Sequence, residues 1–520
     1  MHALQDTRLE LLKNSAFARV LLIALSWAGA FGLSACDSAR ARSNAAAERQ
    51  VLKWAVDFPA NWDPVVQGSG AGFRVLALAY AALTEIDEHG KAQPGLARSW
   101  TYNAEGDEIT FHLRPGLKFS DGTPVNAEAV KLYLERAKYQ QNSALDGDLS
   151  SIASVRVASE LDVLLKLTQV DHQIPLLLGQ RVAQITSPKA AQDLKALNGF
   201  PIGAGPFKVV ELVPESHVYF EKNPDFWNAA NIHIDEVKVH AGTDWAMVVP
   251  SLQTGVYDFA AIPPSQVKAA QKAGLDVVFQ PGFNAANIAV NINKKPFSDK
   301  AVLNAARHAI NRQEFVDKVT LGHGIPTNQP FPKGYVAYDE ASENLWPYDP
   351  EKAKRLLKEA GYAPGEVKVD LVVSSASPAA EIIQSQFGAV GIDVKIVIST
   401  NWAEPFFAKE LALSIYGTTG RESPVQTLTA HFGPDGPLNL SSPFVSEEFL
   451  AALKVARQTP LDSPDYAENL QLATRAALKS SPTIFTYSSP NLFLKGPRVP
   501  RVPAIPGQIH WTGVKLGKKK

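Results

Sequence analysis

The chain has 520 residues, of which 45% are hydrophobic and 20% are charged, a balance typical of globular proteins. Its 51 lysines and arginines nearly match its 52 aspartates and glutamates, which argues against a nucleic-acid partner, because such binders usually carry a basic excess or stripe. The one cysteine, Cys36, excludes an intramolecular disulfide and a thiolate metal site.

The first 36 residues have the anatomy of an export signal. Basic residues precede an apolar run that starts at Val20, and glycine and serine interrupt this run too often for a transmembrane helix. The run ends in Leu33-Ser34-Ala35-Cys36, which resembles a bacterial lipobox. We therefore expect a lipoprotein signal peptide over residues 1–35 and lipid on Cys36. A plain signal peptide with an unmodified cysteine, or an uncleaved anchor, is the alternative.

The remaining chain is long enough for more than one domain. Residues 36–49 are small and polar, which predicts a flexible tether. Removing 35 of the 520 residues leaves 485, too many for one hydrophobic core, so we expect at least two domains.

Strand patterns dominate the first half of the chain. Period-two alternation predicts half-buried strands around 163–167, 218–220 and 237–239. A turn signal at 121–124 leads into a predicted helix from Asn126. Strands interspersed with helices indicate a mixed α/β fold.

The second half contains a clear strand–helix–strand unit. We expect helices capped by Ser298 and opened by Asp349-Pro350. Alternating strands at 367–373 and 392–398 flank a predicted helix over 379–390, which Gly391 ends. Such a unit makes the two strands parallel, and ligands of parallel sheets lie beyond the carboxyl ends of the strands.

No catalytic signature is present in the sequence, so we expect a binding protein without enzymatic activity, cofactor or metal site. The glycine-rich segment 68–72 matches no nucleotide fingerprint and predicts a flexible or ligand-contacting loop. The histidines are scattered, and we interpret His323 and His431 as surface or hydrogen-bonded polar residues.

A series of short segments, in order along most of the chain, resembles one protein family. The segments are Gly90–Trp100, Phe111–Pro124, Pro201–Phe207, Asn223–Trp227, Asn291–Phe297, Ala305–Arg312 and Tyr348–Ala353. Phe111–Pro124 (Phe-His-Leu-Arg-Pro-Gly-Leu-Lys-Phe-Ser-Asp-Gly-Thr-Pro) is the most specific. Together they resemble the extracellular solute-binding proteins that serve ABC importers, of the peptide, opine and nickel class (family 5 type).

The resemblance implies a two-lobed periplasmic-binding-protein fold of the large cluster, with the ligand cleft between the lobes. Lobe I would comprise 50–283 plus 488–520, with an extra subdomain at about 90–195, and lobe II would comprise 284–487. It further implies a monomeric receptor in the periplasm, lipid-anchored through Cys36, which captures a peptide or a peptide-like or opine-like solute. Hinge closure would deliver this solute to an ABC permease in the inner membrane.

The loop after the strand at 413–418 departs from the family pattern. Peptide-binding members usually carry an aspartate here for the free amine of the peptide, shortly before an Asp-Pro. This chain has Arg421, Glu422 and Ser423 before Pro424. A buried arginine favours a carboxylate or phosphate, whereas Glu422 could instead bind an ammonium. The full set of candidate ligand contacts is Arg421, Glu422, Tyr416, Thr418, Thr419, Trp402, Ser69, Gly70 and Asn284.

Other functions stay open at this point. A receptor for nickel or a metal chelate belongs to the same class, although no convincing set of cleft arginines or histidines stands out. An envelope chaperone or a hydrolase that shares the fold is the other alternative.

Overall fold

The computed structural model describes residues 49–518, except 243, 419–420, 503 and 506–507, and describes the backbone alone for 71, 281, 283, 284, 418, 504 and 505. The strands are β1 (Val51–Val56), β2 (Thr84–Ile86), β3 (Ala92–Pro94), β4 (Ala97–Tyr102), β5 (Glu108–Leu113), β6 (Ile152–Ser159), β7 (Asp162–Leu167), β8 (Phe207–Val213), β9 (His217–Lys222), β10 (Glu236–Ala241), β11 (Phe259–Ala261), β12 (Asp276–Val290), β13 (Ile325–Pro326), β14 (Val367–Val373), β15 (Ile392–Ile398), β16 (Leu413–Thr418), β17 (Ile484–Lys495), β18 (Ala504–Ile505) and β19 (Gln508–Ile509).

Helices are interspersed with these strands, as the sequence predicts for a mixed α/β fold. The α-helices are α1 (Gly70–Ala79), α2 (Ala127–Tyr139), α3 (Ile174–Leu177), α4 (Leu194–Gly199), α5 (Trp245–Gln253), α6 (Val267–Lys272), α7 (Lys300–Ala309), α8 (Arg312–Val319), α9 (Pro350–Glu359), α10 (Pro378–Val390), α11 (Ala403–Phe407), α12 (Pro424–Phe432), α13 (Glu447–Gln458) and α14 (Tyr466–Ser480).

The largest sheet in the described part of the chain is mixed and has 11 strands. Its order is β15-β14-β16-β12-β17-β11-β1-β10-β9-β8, with β13 paired to β17 off this path. β12 and β17 pair antiparallel in the middle of the sheet, and their register shifts between Gln280 and Asn284. A separate four-stranded antiparallel sheet has the order β4-β5-β7-β6.

The two ends of the large sheet carry separate hydrophobic cores. The first core contains Trp54 and Phe220 from the large sheet, together with Phe111 from the four-stranded sheet. Beyond β12, a second core surrounds Leu371 and Phe387, and a third contains Phe432 and Phe449 from α12 and α13. Burial at both ends stabilises each end independently, because hydrophobic gain scales with apolar area removed from water.

The predicted strand–helix–strand unit is confirmed. β14 and β15 pair in parallel from Val367 opposite Ile392 to Val373 opposite Ile398. Between them, Ser377 caps α10, Pro378 occupies its first position, and Gly391 ends it with φ of 100°. The helix opened by Asp349-Pro350 is confirmed as α9. The helix from Asn126 is confirmed as α2, with Asn126 as its cap.

Two local predictions are wrong. α7 is capped by Asp299, whose carboxylate accepts from the amide of Ala301 at 2.8 Å, while Ser298 belongs to the preceding turn. An aspartate also interacts favourably with the positive end of the helix dipole. The segment 68–72 is not a loop throughout, because Ser69 accepts from the amide of Gly72 and helix α1 begins at Gly70.

We predict opposite effects for two glycine substitutions in and after α10. Gly391→Ala places a side chain in the left-handed region and near Pro364, so it should lower the free energy of unfolding by about 1–2 kcal/mol. Gly388→Ala is the matched control. Gly388 is exposed, and nothing lies near the added methyl group, so this substitution should raise the free energy of unfolding by up to about 1 kcal/mol. Urea titration of both variants measures this, and equal effects would contradict the αL assignment.

Candidate functional site

Four charged side chains from the two ends of the sheet form one ionic cluster: Asp148, Arg181, Arg421 and Glu422. Asp148 and Arg181 lie on segments of the first core, whereas Arg421 and Glu422 lie in the loop between β16 and α12. Arg181 donates from Nη2 to Asp148 Oδ2, and its Nε lies 3.7 Å from Glu422 Oε1. Arg421 Nη1 lies 3.6 Å from Asp148 Oδ2. These contacts join parts of the chain that belong to different cores.

The two arginines of the cluster are compensated unequally. Burial opposes the charge of Arg181, but Asp148 and Glu422 outweigh it and raise its pKa. For Arg421, burial and then the neighbouring charge of Arg181 lower the pKa, despite Asp148 and Glu422. Within the described residues, the guanidinium of Arg421 makes only the long contact with Asp148. Among the described contacts, Arg421 is therefore the less fully paired cation of the cluster.

The two carboxylate oxygens of Glu422 differ in their described hydrogen bonds. Its Oε1 accepts from the backbone amide of Arg181 at 3.4 Å and faces the guanidinium of the same residue. The side chain is only 7% exposed, and its Oε2 is buried without a hydrogen-bond partner in the described part of the chain. A buried acceptor without a partner is costly, so this oxygen is suited to a donor from a bound molecule.

The start of α12 holds this loop in place. Ser423 is the N-cap residue, Pro424 takes the first helical position, and the amide of Arg421 donates to Thr427 Oγ1 at 3.2 Å. The hydroxyl of Ser423 also donates to Gln173 Oε1 at 3.1 Å. Ser423 thus contributes a neutral bond across the two ends of the sheet.

Gln173 is the centre of a second set of contacts between the two ends. Its Oε1 also accepts from the hydroxyl of Tyr466 on α14 at 2.9 Å. Nearby, Arg457 Nε lies 3.9 Å from Asp171 Oδ2, and the carbonyl of Arg457 accepts from the amide of His172. The two ends of the sheet are therefore in direct polar contact over a surface wider than the ionic cluster.

An aromatic group lies beside the two arginines. Tyr416 on β16 stacks on Phe406 with ring centroids 5.2 Å apart, and Trp402 lies 6.3 Å from Tyr416. Burial raises the pKa of Tyr416, while the charges of Arg421 and Arg181 act in the opposite direction. Tyr416 therefore connects the cluster to an aromatic group that also contains Phe406 and Trp402.

The first turn of α1 lies close to the cluster. Ser69 and Gly70 start this helix, and the guanidinium of Arg181 lies 5.8 Å from the ring centroid of Phe73, one turn further on. The hydroxyl of Ser69 is used in capping, so its role toward a ligand stays a prediction.

Two further candidates, Thr418 and Asn284, are placed by their backbone alone. The backbone of Thr418 pairs with Ala285, and that of Asn284 pairs with Ser489. Their side chains, the whole of Thr419 and the lipidation candidate Cys36 lie outside the described residues.

Asp148 and Arg181 are absent from the candidate ligand contacts predicted from the sequence. Arg181 carried a signal, since it is the single charge in the otherwise uncharged stretch from Gln173 to Ser187. Asp148 carried none, because it is one of several acids in a turn-rich segment.

The interpretation of His431 is wrong. This residue on α12 is 2% exposed, and neither ring nitrogen has a hydrogen-bond partner within the described residues. Burial, with a smaller contribution from Arg421, lowers its pKa to about 3. The imidazole is therefore neutral at physiological pH.

We predict that His431 makes the fold sensitive to acid. The unfolded state, with a pKa of about 6.5, binds a proton that the folded state excludes, so this contribution to stability is present above pH 6.5 and lost as the pH falls toward 3. Between pH 7.5 and pH 5 the loss should be about 2 kcal/mol in the free energy of unfolding. His431→Gln should reduce the slope of stability against pH in urea titrations, and parallel slopes for the two proteins would contradict the prediction.

Within residues 49–518, apart from the gaps named above, no three histidine, cysteine, aspartate or glutamate side chains are grouped so that they could hold a metal ion. In the same residues no helix is long and apolar enough to cross a membrane.

Comparison with known proteins gives consistent matches. The di/tripeptide-binding protein 3 of Pseudomonas aeruginosa (strain UCBPP-PA14) is 31% identical over 404 residues, which cover 70% of this chain and 75% of that protein. The glutathione-binding protein GsiB of Salmonella typhi is 31% identical over 324 residues, which cover 61% of this chain and 63% of that protein.

A solved structure of similar fold agrees with these sequence matches. The binding protein AgaA of A. tumefaciens R10, solved with agropinic acid, superposes with a TM-score of 0.78 at 24% identity, over 90% of this chain and 99% of that chain. This likeness confirms the two-lobed α/β fold. The family model for the middle part of the bacterial extracellular solute-binding proteins of family 5 matches residues 91–438. The chain belongs to this family of extracellular solute-binding proteins.

Proposed function

We propose that this protein captures a peptide or a peptide-like or opine-like solute in the periplasm and delivers it to an ABC permease. The family membership supports the role of a solute receptor, and the named relatives bind di- and tripeptides or glutathione. The observation that carries the ligand class is the ionic cluster between the two ends of the sheet. Among the described residues, the guanidinium of Arg421 makes only a 3.6 Å contact with Asp148, and the buried Oε2 of Glu422 has no hydrogen-bond partner.

The proposed motion is hinge closure between lobe I (50–283 plus 488–520) and lobe II (284–487). β12 and β17 support this, because they pair with each other, while β17 also pairs with β11 of lobe I and β12 also pairs with β16 of lobe II. The register shift between Gln280 and Asn284 interrupts their ladder at the proposed boundary. Two adjacent crossover strands with an interrupted ladder are suited to a hinge that closes around a ligand.

Arg421 holds a carboxylate or phosphate of the solute in this proposal. A guanidinium binds such groups through two parallel hydrogen bonds, which are stronger and more specific than neutral ones. Tyr416 and the first turn of α1 form walls beside this position, and apolar walls with few polar anchors are typical of ligand pockets.

We predict that Arg421→Ala weakens solute binding by about 10- to 1,000-fold, because a buried ligand anion then lacks its partner. Arg421→Lys should recover only part of the loss, since an ammonium has no planar fork. Isothermal titration with di- and tripeptides, glutathione and nickel–histidine as probes measures this. Arg355→Ala, which removes an exposed arginine of α9, is the matched control and should bind as the wild type does.

Wild-type affinity of Arg421→Ala for every bound probe would remove Arg421 from the site. Nickel–histidine as the only bound probe would favour the metal-chelate receptor. Recovery of unchanged probe after incubation distinguishes a receptor from a hydrolase.

We further propose that Cys36 carries lipid and anchors the protein to the membrane, with residues 36–49 as the tether. The lipobox-like ending of the apolar run supports this. Cys36→Ser should move the protein from the membrane fraction to the soluble envelope fraction, or leave the signal uncut. Membrane fractionation and mass spectrometry of the N-terminal peptide check this, and a soluble, unlipidated wild type would overturn it.

A further inference from the structure

We propose that the solute carries its free ammonium and its free carboxylate on the same carbon atom, as an α-amino-acid headgroup does, and that this headgroup binds between Arg421 and Glu422. The proposal deepens the proposed function and rests on it. It names a chemical class narrower than peptides in general.

Arg421 and Glu422 offer opposite charges side by side without neutralising each other. The charge of Glu422 acts on Arg421, so the two groups lie near each other, yet they form no ion pair among the described contacts. Glu422 Oε1 is occupied by Arg181, which leaves the buried Oε2 for a donor. Within the described residues, a cation with a single long contact therefore stands beside an anion with one unpartnered oxygen.

Distances within the ligand decide which compounds can use both groups. In an α-amino-acid headgroup the ammonium nitrogen and the carboxyl carbon are about 2.5 Å apart, because both are bonded to one carbon. In an ordinary extended peptide the free amine and the free carboxylate lie at opposite ends, and each residue adds about 3.3–3.6 Å. The headgroup can therefore present both charges to two neighbouring side chains, whereas an extended peptide cannot.

The charge balance of the cluster favours a zwitterionic ligand. Asp148 and Glu422 balance Arg181 and Arg421, so the buried cluster has no net formal charge. A lone ligand carboxylate would add a buried negative charge, and a lone ammonium a positive one, and each is costly without a partner. A zwitterionic headgroup supplies both charges at once and leaves the cluster neutral.

Arg181 acts as a positioning residue in this arrangement. It comes from the opposite end of the sheet and fixes Glu422 Oε1 through its backbone amide and its guanidinium. The orientation of Oε2 toward the ligand therefore depends on contact between the two lobes.

The test compares two isomers of identical composition on the full mature protein by isothermal titration. γ-Glutamyl-alanine keeps the ammonium and a carboxylate on one carbon, whereas α-glutamyl-alanine does not. We expect the γ-isomer to bind at least tenfold more tightly. Acetylation of its amine, or amidation of its α-carboxylate, should each weaken binding at least tenfold. Free glutamate in the same assay distinguishes a free amino acid from a γ-linked compound as the source of the headgroup.

Variants assign the preference to the two side chains. Arg421→Lys and Glu422→Gln should bring the affinity ratio of the two isomers toward one, and Arg355→Ala should preserve it. If these variants do not fold, the capped ligands on the wild-type protein still decide the matter. Equal or tighter binding of the α-isomer would overturn this inference and leave the proposed receptor role intact. If the wild type binds neither isomer, nor any di- or tripeptide or opine, both proposals fall.

Discussion

β12 and β17 pair along most of their length, and this antiparallel ladder joins the cores at the two ends of the large sheet. On one side β17 continues into β11 and the strands of lobe I, and on the other β12 continues into β16 and the parallel unit of lobe II. The two ends of the sheet, which supply the partners of the ionic cluster, are thus connected through these two strands. The register of their ladder shifts between Gln280 and Asn284 and again between Ala286 and Asn287.

The four charged side chains of the ionic cluster are paired unequally. Arg181 and Asp148 pair within one end of the sheet, whereas Glu422 comes from the other end and places Oε1 3.7 Å from Arg181 Nε. Among the described contacts, the guanidinium of Arg421 makes only a 3.6 Å contact with Asp148, and the buried Oε2 of Glu422 has no hydrogen-bond partner. Unused capacity of opposite sign in a buried place is the usual mark of a specificity site, because a ligand that lacks the matching groups leaves them unpaired.

Local sequence patterns predicted local structure well, whereas the partners of the site came from the fold. Period-two alternation and the proline and glycine around α10 define the β14–α10–β15 unit, because each signal acts within a few residues. The loop with Arg421 was identified through its departure from relatives. Its partner Arg181, which meets Glu422, lies 241 positions earlier in the chain, and no local pattern links residues so far apart. For the same reason the sequence could not show that His431 is buried without a partner, since its helix reads as ordinarily amphipathic.

The bonds of Gln173 to Ser423 and Tyr466 have a consequence for affinity. They join the lobes through protein groups alone, so they stabilise contact between the lobes whether or not solute is present. In the proposed hinge motion, opening must break these bonds. Where only one of the two states is competent to bind, the measured dissociation constant equals the intrinsic one divided by the fraction of molecules in that state. Bonds between protein groups thus enter the measured affinity, and their strength can change without altering which solute is recognised.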